Sequence, residues 1–173
     1  MADVIDGMRD AVHLEERAYR NGEDRPLGGY VLAMAVFGAF VAGAAGLARA
    51  TGRKPPQLGL FDLLLITLGT HKLSRTISKD AGTSPLRAPF TRYQGTGGPG
   101  EVMEEVRSTG RLRHAIGELI TCPLCLDVWI ATGFALGMVF APRFTRLIAF
   151  TFAALTGADF LQLGYAAAQQ AQE

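Results

Sequence analysis

Long stretches without a charged residue alternate along this chain with segments crowded by charge, and that alternation predicts its elements. Residues 26–48 hold no Asp, Glu, Lys or Arg, and neither do 128–142 or 147–158. A helix needs about 20 apolar residues to cross a bilayer core, and 26–48 meets that length alone. The run from Leu58 to Thr70 is interrupted by Asp62 and continues into His71-Lys72-Leu73-Ser74-Arg75. It reaches spanning length over 58–76 when Lys72 and Arg75 extend toward the interface. A third span is expected over 123–141, closed by Pro142, and a fourth over 144–168, with Arg146 near its start and Asp159 well inside. The expected fold is all-α: a polytopic membrane helix bundle of about four transmembrane helices filling residues 26–173.

The first span is rich in small residues, and Ala35, Ala39, Ala42, Gly43 and Gly46 would let another helix approach closely, in an oligomer or a larger complex. Ala48-Arg49-Ala50 resembles a small-residue cleavage site, but the apolar core is too long and the preceding residues too charged for a signal peptide. Residues 1–25 form an arm of their own. Over 2–20 they pattern as an amphipathic helix with a stripe at Ile5, Met8, Val12 and Tyr19, interrupted by Glu15 and ended by Asn21-Gly22. Basic residues orient membrane chains through their short loops. The arm and the middle segment, 77–121, together with Lys72 and Arg75 just before it, hold 12 Lys and Arg, and the two short loops hold five. Both termini and the middle segment are therefore expected in the cytoplasm.

Charge and motifs narrow the function classes. Of 173 residues, 17 are Lys or Arg and 16 Asp or Glu, which leaves no basic field for nucleic acid. The middle segment opens with Pro85 and Pro89, which oppose regular helix. Arg87, Phe90, Arg92 and Tyr93 make a basic and aromatic mixture suited to a membrane-interface loop. Gly95 to Gly100 is a turn without the Gly-Lys-Ser/Thr ending of a phosphate loop, so no nucleotide is expected. Glu101 to Thr109 is expected as a short helix stopped by Gly110, with a second short helix leading to Cys122.

Two groups of residues could carry chemistry. The only cysteines, Cys122 and Cys125, flank Pro123-Leu124 at the start of the third span. Their spacing brings both sulfurs to one side of the first helical turn. Packing, dithiol exchange and zinc binding remain open for them; zinc would need His114, His71 or a second subunit's pair to complete four ligands. The second group is an intramembrane charge cluster of His71, Lys72, Arg75, Glu118, Asp127 and Asp159, all expected in or near the cytoplasmic half. A charge facing lipid costs about 2.5–3.5 kcal/mol on insertion scales, so these groups should face inward and pair. That arrangement serves either a structural ion-pair network or a site for a proton, an ion or an anionic headgroup. Asp62 points away from His71 and is expected as a separate helix-start group.

Several strings together carry a resemblance. They are His71-Lys72-Leu73-Ser74-Arg75 with Lys79-Asp80, Thr83-Ser84 and Arg87-Ala88-Pro89-Phe90-Thr91, then Gly117-Glu118-Leu119, Thr121-Cys122-Pro123-Leu124-Cys125 with Trp129, and Ala158-Asp159-Phe160-Leu161. Over residues 58–168 the chain resembles the family catalogued as domain of unknown function thirteen-sixty, small bacterial integral membrane proteins. Leu124 stands where that family usually carries a phenylalanine or similar residue. The resemblance implies a multi-pass protein of the bacterial plasma membrane and brings no activity with it. The leading expectation is a non-enzymatic scaffold or accessory subunit without cofactor, its partners being the lipid bilayer and a docked protein or further copies of itself. The alternatives are a thiol-redox or zinc protein using Cys122 and Cys125, and a minor transporter or channel using the charge cluster.

Overall fold

The computed structural model describes residues 26–108 and 110–172, with Gly7, Asp10, Ala11, Leu14, Glu15, Ala18 and Tyr19 of the arm, each of them helical. Ile5, Met8 and Val12 of the expected stripe, and the Asn21-Gly22 stop, lie outside the described residues. Helix α1 is Leu27–Ala50 and α2 is Leu60–Lys79. A 3-10 turn, Ala81–Thr83, leads into the single-turn α3, Ser84–Arg87. Strands β1, Thr91–Thr96, and β2, Val102–Val106, form a hairpin. Then come α4, Arg111–Thr121, α5, Pro123–Phe140, and α6, Pro142–Gln170.

Three of these helices, α1, α5 and α6, are long and apolar enough to cross a membrane. Their large apolar residues point outward: Met34, Phe40, Val128, Phe144, Leu147, Phe150 and Leu161 are all exposed. A water-soluble domain rarely shows apolar surface on this scale. The small buried core lies instead where α2, α5 and α6 meet, at Leu65, Phe134 and Ala149, with Ile66, Leu73, Ile130 and Ala153 against them.

Pairings along the helices establish their directions. Arg146 grips Asp62 through two hydrogen bonds, Nε to Oδ1 at 2.7 Å and Nη2 to Oδ2 at 3.1 Å. Further along the same seam, Thr156 Oγ1 donates to the Leu68 carbonyl at 3.0 Å, and Lys72 meets Asp159. Helices α2 and α6 therefore run parallel. Likewise Tyr30 donates to Glu118 just before α5, Phe37 meets Trp129 edge to face with centroids 5.0 Å apart, and Arg53 donates to the Phe140 carbonyl. Helix α1 thus runs parallel to α5 and opposite to α2 and α6. Asp62 is a helix-start group, as expected: it also accepts from the Gly59 N–H at 3.2 Å, satisfying a donor that the helix leaves unbonded.

At the end of the bundle away from Asp62, the hairpin, α3 and α4 form a cap. Here the chain departs from the all-α expectation. Residues 102–106 are a strand rather than part of a short helix, because Thr91–Thr96 supplies an antiparallel partner, with Thr91 opposite Val106 and Thr96 opposite Val102. Pro85 does not prevent a helical turn at Ser84–Arg87, because it occupies the first turn, where its missing N–H costs nothing. The expected short helix before Cys122 is present as α4. It docks so closely on the hairpin that a Cβ on Gly117 would lie 2.5 Å from Val106 Cγ1.

Candidate functional site

The cap meets the bundle at a cleft of about 560 Å³, walled by the last turns of α2, the hairpin tip at Gly98-Pro99 and the second half of α6. Its floor is ionic. Lys72 Nζ lies 2.8 Å from Asp159 Oδ2, with the lysine mostly covered and the aspartate half exposed. One turn on, Arg75 pairs with Glu101 at the base of β2. Asp80, Gln162 and the exposed His71 complete the polar lining, while Phe160, Leu163 and Ala166 give α6 an apolar wall. The hairpin tip is held there by the backbone, since the Ala81 N–H donates to the Gly100 carbonyl at 3.0 Å.

The charged residues singled out in the sequence thus divide into separate groups. His71, Lys72, Arg75 and Asp159 share the cleft. Glu118 lies across the bundle, accepting from Tyr30 and facing His114 Nε2 at 3.4 Å. Asp127 sits on α5, and its Oδ1 is buried with no hydrogen-bond partner among the described residues. Glu101, which closes the cleft from the hairpin, and Tyr30 were not singled out in the sequence. An acid in a Gly-rich turn and a tyrosine in an apolar run give no local sign of a distant partner.

The Cys122 thiol caps a helix. Cys122 is the N-cap of α5, and its Sγ accepts the Cys125 N–H at 3.2 Å, with Pro123 in the first turn. Both cysteines are free, and Cys125 is exposed. Among the described residues no three His, Cys, Asp or Glu side chains gather closely enough to hold a metal ion, and His114 is engaged with Glu118.

The expected interface loop needs a correction at Arg87. Arg92 and Tyr93 are exposed and Phe90 is half-buried, but Arg87 is fully buried. Its Nε and Nη2 bind both oxygens of Glu104 at 2.9 and 3.1 Å. Nη1 reaches the Ile77 carbonyl and Thr83 Oγ1, and Nη2 also reaches the Asp80 carbonyl at 3.0 Å. A guanidinium offers five donors in a planar fork, and here that fork ties the end of α2 to the hairpin. Arg87 therefore organises the cap from within instead of facing headgroups.

Burial works against ionisation of Glu104, yet the hydrogen bonds from Arg87 and Thr91 and the guanidinium charge outweigh it and hold the carboxyl below its ordinary value. A lowered carboxyl stabilises the fold at pH above the unfolded value and loses that contribution as pH falls through the folded one. The cap is accordingly expected to keep full stability at neutral pH and to weaken as pH falls below about 4.3. Thermal melts of the cap between pH 7 and 3 test this. Glu104→Gln should flatten the acid limb, and a limb unchanged in that variant would assign it to other groups.

Helices of membrane length, a folded cap and an ionic cleft between them define a small helical-bundle protein with a single elaborated end. The chain belongs to the family described as protein of unknown function DUF1360, which matches residues 65–165, more than half of the chain. The match runs from the core of α2 through the cap to the cleft residues of α6. No curated protein and no solved structure matches it.

Proposed function

We propose that this is a four-span protein of the bacterial plasma membrane, with its termini and cap in the cytoplasm, acting as a non-enzymatic scaffold or accessory subunit. Helix α2 is the span beside α1, α5 and α6. Its 20 residues equal the needed length, and its polar groups meet partners, Asp62 with Arg146 and Lys72 with Asp159. The excess of basic residues on the arm and middle segment supports the orientation.

The observation that carries the scaffold reading is the self-sufficiency of the cap. Arg87, Glu104, Thr83 and Thr91 satisfy one another inside it, which gives a rigid platform rather than a set of groups waiting for substrate. What the hairpin displays outward is Arg92, Tyr93, Met103 and Glu105, an aromatic, sulfur and charge mixture of the kind enriched at protein interfaces. Tagged protein purified from its native membrane in mild detergent is expected to bring one protein in stoichiometric amount. Changing Tyr93→Ala and Met103→Ala together should cut that recovery about tenfold, since buried anchors dominate interface energy. Purification of the chain alone, or recovery indifferent to the hairpin change, would overturn the reading.

A further inference from the structure

We infer that the cleft at the capped end holds a zwitterionic phosphoester headgroup bearing a primary amine, of the phosphoethanolamine type. The inference rests on the membrane-spanning part of the reading above and not on the protein partner.

The charge pattern selects the ligand class. Lys72 and Arg75 stand one helical turn apart on α2, and their carboxylate partners come from α6 and the hairpin. Asp80 adds a further acid to the lining, so the cleft holds one more Asp or Glu than Lys or Arg. A purely anionic headgroup gains no net attraction from such a floor. A bare cation that took Asp159 and Glu101 would strip Lys72 and Arg75 of their partners. A ligand carrying both signs inserts without leaving a charge stranded, its phosphate between the two bases and its ammonium between the two acids.

The cleft is also accessible and lies at the right depth. Asp159 is 48% exposed and Arg75 43%, so both pairs open onto the cavity without any rearrangement of the helices. A span that starts at Phe144 needs about 20 residues to cross and ends near Leu163, which places the cleft, lined on α6 from Thr156 to Ala166, at the boundary between acyl chains and headgroups. Phe160 and Leu163 are exposed beside the ionic floor at that boundary, and Leu155 is exposed on its membrane side, the direction in which acyl chains would run. A primary ammonium donates hydrogen bonds to carboxylates and a quaternary one cannot, which favours ethanolamine over choline.

The test uses the full chain purified in dodecyl maltoside and mixed with equal amounts of phosphatidylethanolamine, phosphatidylglycerol and phosphatidylcholine, read by native mass spectrometry. One phosphatidylethanolamine per chain should be retained about tenfold over the other two. Lys72→Gln combined with Asp159→Asn removes both charges of one pair at once and should lower retention about tenfold. Should that variant fail to fold, Arg75→Gln, at the more exposed pair, makes the same comparison. Equal or stronger retention of phosphatidylglycerol, or retention unchanged in the folded variants, would overturn the inference. Soluble glycerophosphoethanolamine identifies the source: displacement at concentrations comparable to the lipid supports a free headgroup compound, and failure to displace supports the bilayer lipid. Release of the protein from membranes by carbonate would refute the spanning reading separately, and the lipid result does not depend on whether a protein partner exists.

Discussion

Replacing Arg87 with Met is expected to open the cap while α2, α5 and α6 stay packed. The guanidinium is fully buried and Glu104 nearly so, and removing it leaves a carboxylate enclosed without its counter-charge. Breaking a buried ion pair from one side costs about 3–5 kcal/mol. The loss extends beyond the pair, because the Ile77 and Asp80 carbonyls and Thr83 Oγ1 lose a donor in the same step. Arg87→Lys should be only partly better, because an ammonium keeps the charge and not the planar fork. Limited trypsin digestion reads the result: cleavage after Arg92 and Arg107, slow in the parent, should become fast in Arg87→Met. Cleavage at the parent rate would mean that the hairpin is held by its docking on α4 and not by this residue.

The other large effect is expected at Gly69. A Cβ at this position would lie 3.1 Å from the Ala149 carbonyl oxygen and 3.3 Å from its Cα, both backbone atoms of α6 that cannot swing aside. Gly69→Leu must therefore push α2 away from α6 and disturb the Thr156 to Leu68 hydrogen bond beside it. Overpacking of this kind costs about 1–3 kcal/mol and sometimes more. In a membrane, where helices associate by close packing and hydrogen bonds instead of water exclusion, the lost contact falls directly on the stability of the seam. The thermal midpoint in detergent should fall clearly for Gly69→Leu and stay put for Gly43→Leu, whose Cβ would meet nothing within 4 Å. Similar midpoints for the two variants would show that the α2–α6 seam is looser than described.

How far the sequence revealed this depended on whether the signal was local. A charge-free run of bilayer length located α1, and shorter charge-free runs located α5 and α6, because apolar character is a property of one segment. Asp62 was recognisable as a separate helix-start or outer-rim group because it points away from His71 and lies near the other surface, and its bond from Gly59 makes it the former. The hairpin was missed because Glu101-Val102-Met103-Glu104-Glu105 has the composition of a helix, and only pairing with Thr91–Thr96 makes it a strand. The cue was present in Gly97-Gly98-Pro99-Gly100, a turn of the kind that joins two short strands. Arg87 was misjudged for the same reason: an arginine beside aromatics looks interfacial until its carboxylate partner, 17 residues on, is known. The cleft was half legible. Lys72, Arg75 and Asp159 were conspicuous as charges in apolar surroundings, whereas Glu101 owes its place there to the fold of the hairpin.

The position of α2 bears on how such a protein is made. It precedes α5 and α6 in the chain, is the helix on which both pack, and is the one of these four helices that is not apolar enough to qualify as a span by hydropathy. The groups that neutralise it, Arg146 for Asp62 and Asp159 for Lys72, lie in α6, which is synthesised after α5. In the proposed four-span arrangement, α2 has no complete set of partners until α6 has been synthesised. Its stable insertion is then a late and cooperative event, and a chain truncated before α6 should leave α2 accessible to the aqueous phase.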